Sequence, residues 1–175
     1  MLPIHYMGNQ ANPTDEDLSV FDNIVFLLNN NGNEFEILEH DFVHRSEDAA
    51  KVRGTNLQEA AKALVLRAKA KDGTKKFFMC VVSGDKKMDL RKVKELVNSK
   101  NVSLAHPDDV FSVTKLRVGT VPPFPGLFGL EGYCDSAVLK NEYVVFSAAS
   151  HYKSIRMKAE EWQDVAGVTR ANFSQ

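Results

Sequence analysis

Two short stretches hold the residue types best able to do chemistry. In Gly54-Thr-Asn-Leu-Gln-Glu-Ala-Ala-Lys-Ala-Leu-Val-Leu-Arg67 one ammonium, Lys62, stands between Ala60-Ala61 and the apolar run Ala63-Leu64-Val65-Leu66, where a short helical turn hands over to a buried strand. In Gly119-Thr-Val-Pro-Pro-Phe-Pro-Gly126 a glycine is followed four residues later by proline, which makes a stiff loop. Its backbone N–H groups do not easily join a regular ladder, because Pro122 and Pro123 donate nothing. Free amides of such a loop can bind a carbonyl oxygen and stabilise the negative charge that grows on it when an ester is attacked. An ammonium can hold a phosphate or a hydroxyl, but a charged lysine takes no proton until burial lowers its pKa. Together the two stretches suit an already activated ester whose own hydroxyls help to position the attacking water.

Each stretch also has a plainer reading. A lysine at a strand head is ordinarily a solvated end charge with its stem over apolar neighbours, and a Gly/Pro-rich octapeptide is ordinarily a connection. The pair is more informative than either part. Conventional catalytic markers are missing: there is no GxSxG elbow and no GxxxxGK[ST] loop. His40 and His44 are four apart but lie in a segment that reads as extended and without HExxH, so neither a zinc site nor any cofactor is expected. Glu160-Glu161 reads as the solvated face of a helix.

The elements that must position these residues follow from periodicity and caps. Thr14 followed by Asp17 is a helix start, and Leu18, Phe21, Ile24, Val25 and Leu28 share one face before Asn29-Asn-Asn-Gly32 stops it. Phe35 and Ile37 alternate with Glu34, Glu36 and Glu39 as a strand with one wet face. Ser46-Glu-Asp-Ala-Ala-Lys-Val-Arg-Gly54 has a cap, early acids and a closing glycine, which predicts a short helix. Thr55 is expected to cap a turn over 57–61 that delivers Lys62 to a strand over 63–69, and Asp72-Gly73 joins that strand to another over 77–82. Asp89 caps a helix with Leu90, Val93, Leu96 and Val97 inward; Pro107 starts a turn containing Val110 and Phe111. Strands over 143–148 and 154–157 and a helix over 158–165 with Trp162 complete the reading. Short strands mixed with short helices, without repeated long β-α-β units, predict an α+β fold: a single compact domain whose mixed, mainly antiparallel sheet is partly barrel-like and surrounded by short helices.

A chain of 175 residues with 43% hydrophobic content supports one full core. The formal net charge is −1, but its distribution is uneven: residues 45–117 carry 17 Lys and Arg against 9 Asp and Glu, and the remainder carries 5 against 14. That asymmetry predicts one basic and one acidic face, the basic one able to track a phosphate backbone, although Lys86, Lys87, Arg91, Lys92 and Lys94 also fit a solvated helix surface. Cys80 and Cys134 are far apart and outside any CxxC pair, so neither a zinc knuckle nor a disulfide framework is expected. The first residues lack the pattern of a signal peptide and no run reaches the length of a membrane span, which points to a cytoplasmic protein without a membrane partner.

Residues 46–50, the Gly54 turn, Ala60-Ala-Lys-Ala-Leu-Val-Leu66, Gly119-Thr-Val-Pro-Pro-Phe124 and Phe146-Ser-Ala-Ala149 resemble, in the same order, the YbaK/prolyl-tRNA synthetase associated domain. The resemblance spans roughly residues 21–168. It implies a lead-in over 1–13, an editing domain over 14–168 and a tail over 169–175. It also implies a proofreading deacylase that hydrolyses mischarged tRNA at its acceptor end, with Ala-tRNA(Pro) first and Cys-tRNA(Pro) next, and with prolyl-tRNA synthetase as a possible partner. In that family Lys62 would engage the terminal adenosine or its phosphate. Gly119 and Pro123 match the GxxxP loop that offers amides to the ester carbonyl, so Thr120, Val121, Pro122 and Phe124 are candidate pocket residues. Ser147, Ala148 and Ala149 would form the far wall, with His151 a looser candidate. Two departures bear on amino acid preference: Pro125 stands where many relatives run straight to glycine, and Ala149 stands where glycine is frequent. Two alternatives remain beside this reading, a non-catalytic module that binds tRNA or a synthetase through the basic face, and an editing domain belonging to a larger prolyl-tRNA synthetase.

Overall fold

Apolar residues repeating every three to four positions make the first described element helical. The computed structural model describes residues 15–43 and 46–175. Helix α1, Asp15–Asn30, buries Phe21, Ile24, Val25 and Leu28 and ends before Gly32, whose φ of +67° reverses the chain. The expected lead-in over 1–13, the Thr14 start signal and His44 lie outside the described residues.

Strand β1, Phe35–Glu39, leads to α2, Ser46–Arg53, and then to a 3-10 turn, Leu57–Glu59. Asn56, not Thr55, occupies the N-cap of that turn and makes no side-chain cap bond. Strand β2, Ala61–Lys69, pairs antiparallel with β3, Lys75–Ser83. Between them Asp72 accepts the Thr74 N–H at 2.9 Å and Gly73 takes a φ of +88°, so the Asp-Gly signal marks the turn. Helix α3, Leu90–Leu96, is capped by Asp89, which accepts the Arg91 N–H. Val93 is buried there, whereas Leu96, expected inward, is exposed. Strand β4, Val102–Leu104, precedes α4, Pro107–Thr114, which buries Val110 and leaves Phe111 exposed. Then follow β5, Glu131–Asp135, β6, Tyr143–Ser147, β7, Lys153–Lys158, α5, Ala159–Ala166, and β8, Thr169–Ala171.

The strands form two sheets. One is antiparallel with order β1-β7-β6; the other is mixed with order β4-β2-β3-β5-β8 and is parallel only at β3–β5 and β5–β8. A parallel bridge between Ala60 and Val145 joins the two, and no closed barrel results. The main core lies between the sheets and α1 and α5, with Trp162, Phe124, Phe146 and Ile155 fully buried. A second cluster around Leu66, Phe78, Val93 and Phe173 fills the other face of the larger sheet. Among the described residues no helix is long and apolar enough to cross a membrane.

Residues 169–175, expected as a tail, instead supply an edge strand and a core residue. Phe173 is fully buried, and Asp135 accepts the Phe173 N–H at 2.7 Å, the Ser174 N–H at 2.8 Å and the Ser174 hydroxyl at 2.8 Å. Neither β5 nor β8 was visible as a strand, because Glu-Gly-Tyr-Cys-Asp and Thr-Arg-Ala lack a hydrophobic alternation long enough to register. Burial pushes the Asp135 carboxyl up, but the hydrogen bonds from Phe173, Ala137 and Ser174 outweigh it and hold the group below its ordinary 3.8. A depressed carboxyl stabilises the fold above about pH 4 and loses that contribution as pH falls through its folded value. Asp135→Ala is therefore expected to cost about 1–3 kcal/mol in urea unfolding at pH 7, with the gap to wild type narrowing below pH 4. Burial likewise pushes the Cys80 and Cys134 thiols up to about 12, so both should resist a thiol reagent at pH 8 in the native protein and react in denaturant.

Candidate active site

The 3-10 turn and the start of β2 place Lys62. In-register pairing sets Ala61 opposite Ser83 and Lys62 opposite Val82, and the Gly84 N–H donates to the Ala60 carbonyl at 2.9 Å. Only glycine fits at 84: a Cβ there would lie 2.6 Å from the Leu57 carbonyl oxygen and 2.8 Å from the Ala60 Cβ. Lys62 thus becomes the second residue of β2, half-buried, two positions beyond Ala60, where the sheets join.

The proline-rich loop is fixed from three sides. Gly119 takes a φ of +93°, a conformation open to glycine and costly to other residues. The Thr120 N–H and hydroxyl both donate to the Arg117 carbonyl, at 3.1 and 2.8 Å. The Trp162 indole N–H donates to the Pro123 carbonyl at 3.1 Å, and Phe124 packs edge to face on Phe146 with ring centroids 5.3 Å apart. The N–H groups of Gly119 and Val121 have no hydrogen-bond partner among the described residues.

These segments enclose one cavity of about 190 Å³, lined by Lys62, Gly119, Val121 and Ser147 together with Val43, Ala49, Arg53, Ala60, Ala61, Ala63, Leu64, Val118, Val145 and Phe146. Among the described residues its walls carry two cations, Lys62 and Arg53, and no carboxylate. Arg53, from the last turn of α2, reaches Ser147 Oγ with Nη2 at 3.4 Å, while its Nε is shut off from solvent without a partner among the described residues. Burial pulls the Arg53 guanidinium down to about 10, which leaves it charged at neutral pH. Nearby, His40 Nδ1–H donates to the Asp41 carbonyl and Nε2 accepts from Ser154 Oγ. Burial, opposed by the Asp41 carbonyl and aided by Arg53, lowers the His40 pKa.

Of the residues singled out in the sequence, Lys62, Gly119, Val121 and Ser147 meet in this cavity. Thr120, Pro122, Pro123, Phe124, Ala148 and Ala149 are buried beside it and do not line it; they hold the wall from behind. Ala149 has a φ of +60°, the conformation glycine adopts freely, which explains why glycine suits that place. Pro125 is also off the cavity, packed so closely on β5 that a Cβ at Gly132 would lie 2.3 Å from its Cγ. His151 donates from Nδ1 to the Val43 carbonyl at 2.8 Å and stacks on Phe42, touching the rim residue and not the cavity itself. Sequence reasoning missed Arg53, since a cation in the last turn of a helix is accounted for by the helix dipole. The usable signal was its position directly before Gly54, the left-handed turn that aims α2 at β2.

The expected single basic face is divided. Lys69 and Lys75 sit at the hairpin end of β2 and β3, about 23 Å from Lys62 at the strand rise. Lys86, Lys140 and Arg170 instead border a second, shallower hollow of about 650 Å³. Register puts it at the same sheet end as Lys62, because Ser83 faces Ala61, Val81 faces Cys134, and Asp135 faces Ala171. Gly84→Ala should displace the turn that carries Ala60 and Lys62, lowering hydrolytic activity together with thermal stability; a change in neither would mean that the close packing at 84 does not hold the cavity.

Comparison with known proteins identifies the family and the fold. The aminoacyl-tRNA editing domain family matches residues 40–165. The Multifunctional Ser/Thr-tRNA deacylase ProXp-y of Escherichia coli K12 is 27% identical over 151 residues, 86% of this chain and 90% of that protein. The Prolyl-tRNA editing protein ProX of Acetoanaerobium sticklandii is 31% identical over 91 residues, 51% of this chain and 53% of that protein. A solved structure described as a candidate trans-editing enzyme for prolyl tRNA synthetase superposes with a TM-score of 0.74 at 22% identity, covering 94% of this chain and 99% of that one, and shares the fold. The chain therefore belongs to the aminoacyl-tRNA editing domain family and is an aminoacyl-tRNA deacylase acting on tRNA.

Proposed function

We propose that this deacylase removes a small amino acid from the acceptor end of mischarged tRNA(Pro), alanine first and cysteine next. The observation that carries this reading is the meeting of Lys62 with the unpartnered Gly119 and Val121 amides in one alanine-lined cavity. The amides receive the ester carbonyl oxygen and strengthen their hold as it becomes anionic. Lys62 holds the terminal adenosine or its phosphate, and the ribose hydroxyls orient water. A synthetase pocket shaped for proline rejects smaller residues only weakly, since a methylene is worth about 1–3 kcal/mol. A second, tighter pocket completes the sieve, and prolyl-tRNA synthetase is the partner whose errors it would correct. Lys86, Lys140 and Arg170 lie at the same end of the sheet as Lys62, where the acceptor-stem phosphates would pass. Two free thiols accord with a cytoplasmic setting.

One observation favours a second reading, removal of serine or threonine, as the name of the Escherichia coli relative describes for that protein. Ser147 brings a hydroxyl to the cavity wall, and a β-hydroxyl on the substrate could pair with it.

The test is release of labelled amino acid from alanyl, cysteinyl, seryl, threonyl and prolyl esters of one tRNA(Pro). Alanine is expected to leave fastest and proline slowest; faster loss of serine and threonine would transfer the assignment to the second reading. Lys62→Ala should slow every productive ester by roughly 10–100-fold, the worth of a charge-assisted hydrogen bond. Equal rates would remove Lys62 from the mechanism.

A further inference from the structure

Among the arginines, Arg67, Arg91 and Arg156 each reach a carboxylate within 3.6 Å. Arg53 has no carboxylate partner among the described residues, although it is the one in the cavity wall. Among the described residues its one hydrogen bond is the 3.4 Å contact to Ser147 Oγ, and its buried Nε donor has no partner. An uncompensated cation withdrawn from water is costly, and so is an orphaned donor. Among the described residues the cavity gives this cation no counter-ion, which leaves it available to a charge that comes with the substrate. An aminoacyl ester is neutral at its carbonyl in the ground state and becomes anionic there only as water adds.

We propose that Arg53 is a catalytic residue whose guanidinium stabilises the oxyanion formed during deacylation, opposite the Gly119 and Val121 amides. This rests on the deacylase reading of the same cavity. In the step, the water oxygen bonds to the ester carbon and the carbonyl π pair moves onto its oxygen, which Arg53 and the two amides hold. Collapse restores the carbonyl and breaks the carbon–oxygen bond to the ribose. The ribose oxygen takes the proton given up by water, so free amino acid and a ribose hydroxyl result. Charge that appears only in the transition state is what a fixed, desolvated cation accelerates best.

Steady-state deacylation by the full chain and by Arg53→Met and Arg53→Lys provides the test, with circular dichroism and melting as checks on folding. Arg53→Met should lower kcat about 100-fold or more, equally for every amino acid the wild type removes, with affinity for uncharged tRNA unchanged; Arg53→Lys should fall between. A loss confined to one amino acid, or weaker binding of uncharged tRNA with kcat intact, would overturn the assignment in favour of side-chain reading or phosphate binding. A second measurement does not depend on turnover. Calorimetry would compare adenosine carrying a 1-aminoethylphosphonate ester at its 3′ oxygen, which is tetrahedral and anionic, with the neutral 3′-alanylamido analogue. The wild type should favour the phosphonate and Arg53→Met should lose most of that preference. Equal preference in both proteins sinks the proposal even if the chain removes other amino acids than those proposed above.

Discussion

The bridge between Ala60 and Val145 is the contact on which the site depends. The two sheets touch there and then diverge, and the space left beside the contact is the cavity. Its dimensions follow from small residues at the joint: Ala49, Ala60, Ala61 and Ala63 on the walls, and Gly84 beneath Ala60. Larger side chains at these positions would close the hollow, while the paired strands on either side keep it from collapsing further.

The proline-rich loop is carried by the core as much as by its own stiffness. Trp162 of α5 holds the Pro123 carbonyl, and Phe124 is wedged against Phe146 of β6, so the loop is attached to the same strand that forms the opposite wall. Two prolines that donate nothing, one amide committed to Arg117 and two uncommitted amides leave donors only where the substrate carbonyl can use them. Rigid support of that kind lets backbone dipoles act without reorganising during reaction.

Electrostatically the site is lopsided. Among the described residues Lys62 and Arg53 face a small space without an acid, whereas Arg67, Lys76 and Arg156 each meet a carboxylate. Such an arrangement suits a substrate that brings negative charge with it or develops it on reaction. It also explains how a deacylase can do without a conventional triad: the ester is already activated, so positioning and charge stabilisation suffice to promote attack by water.

Much of the architecture was legible in the residues, because periodicity, caps and turn chemistry are local. The α1 face, the Asp72-Gly73 turn, the Asp89 cap and the strands around Val145 and Ile155 all follow from neighbours a few positions apart. The Lys62 strand head and the glycine-proline loop were legible as unusual local chemistry, and their order along the chain resembles a family. Long-range pairing was not legible. The parallel additions of β5 and β8, the anchoring of residues 169–175 by Asp135, and the approach of Arg53 to Ser147 join segments 36 to 94 residues apart. The sequence alone determined which groups were available; only the tertiary structure decided which of them share a desolvated space, because that depends on where two sheets meet and not on the spacing of any residue from its neighbours.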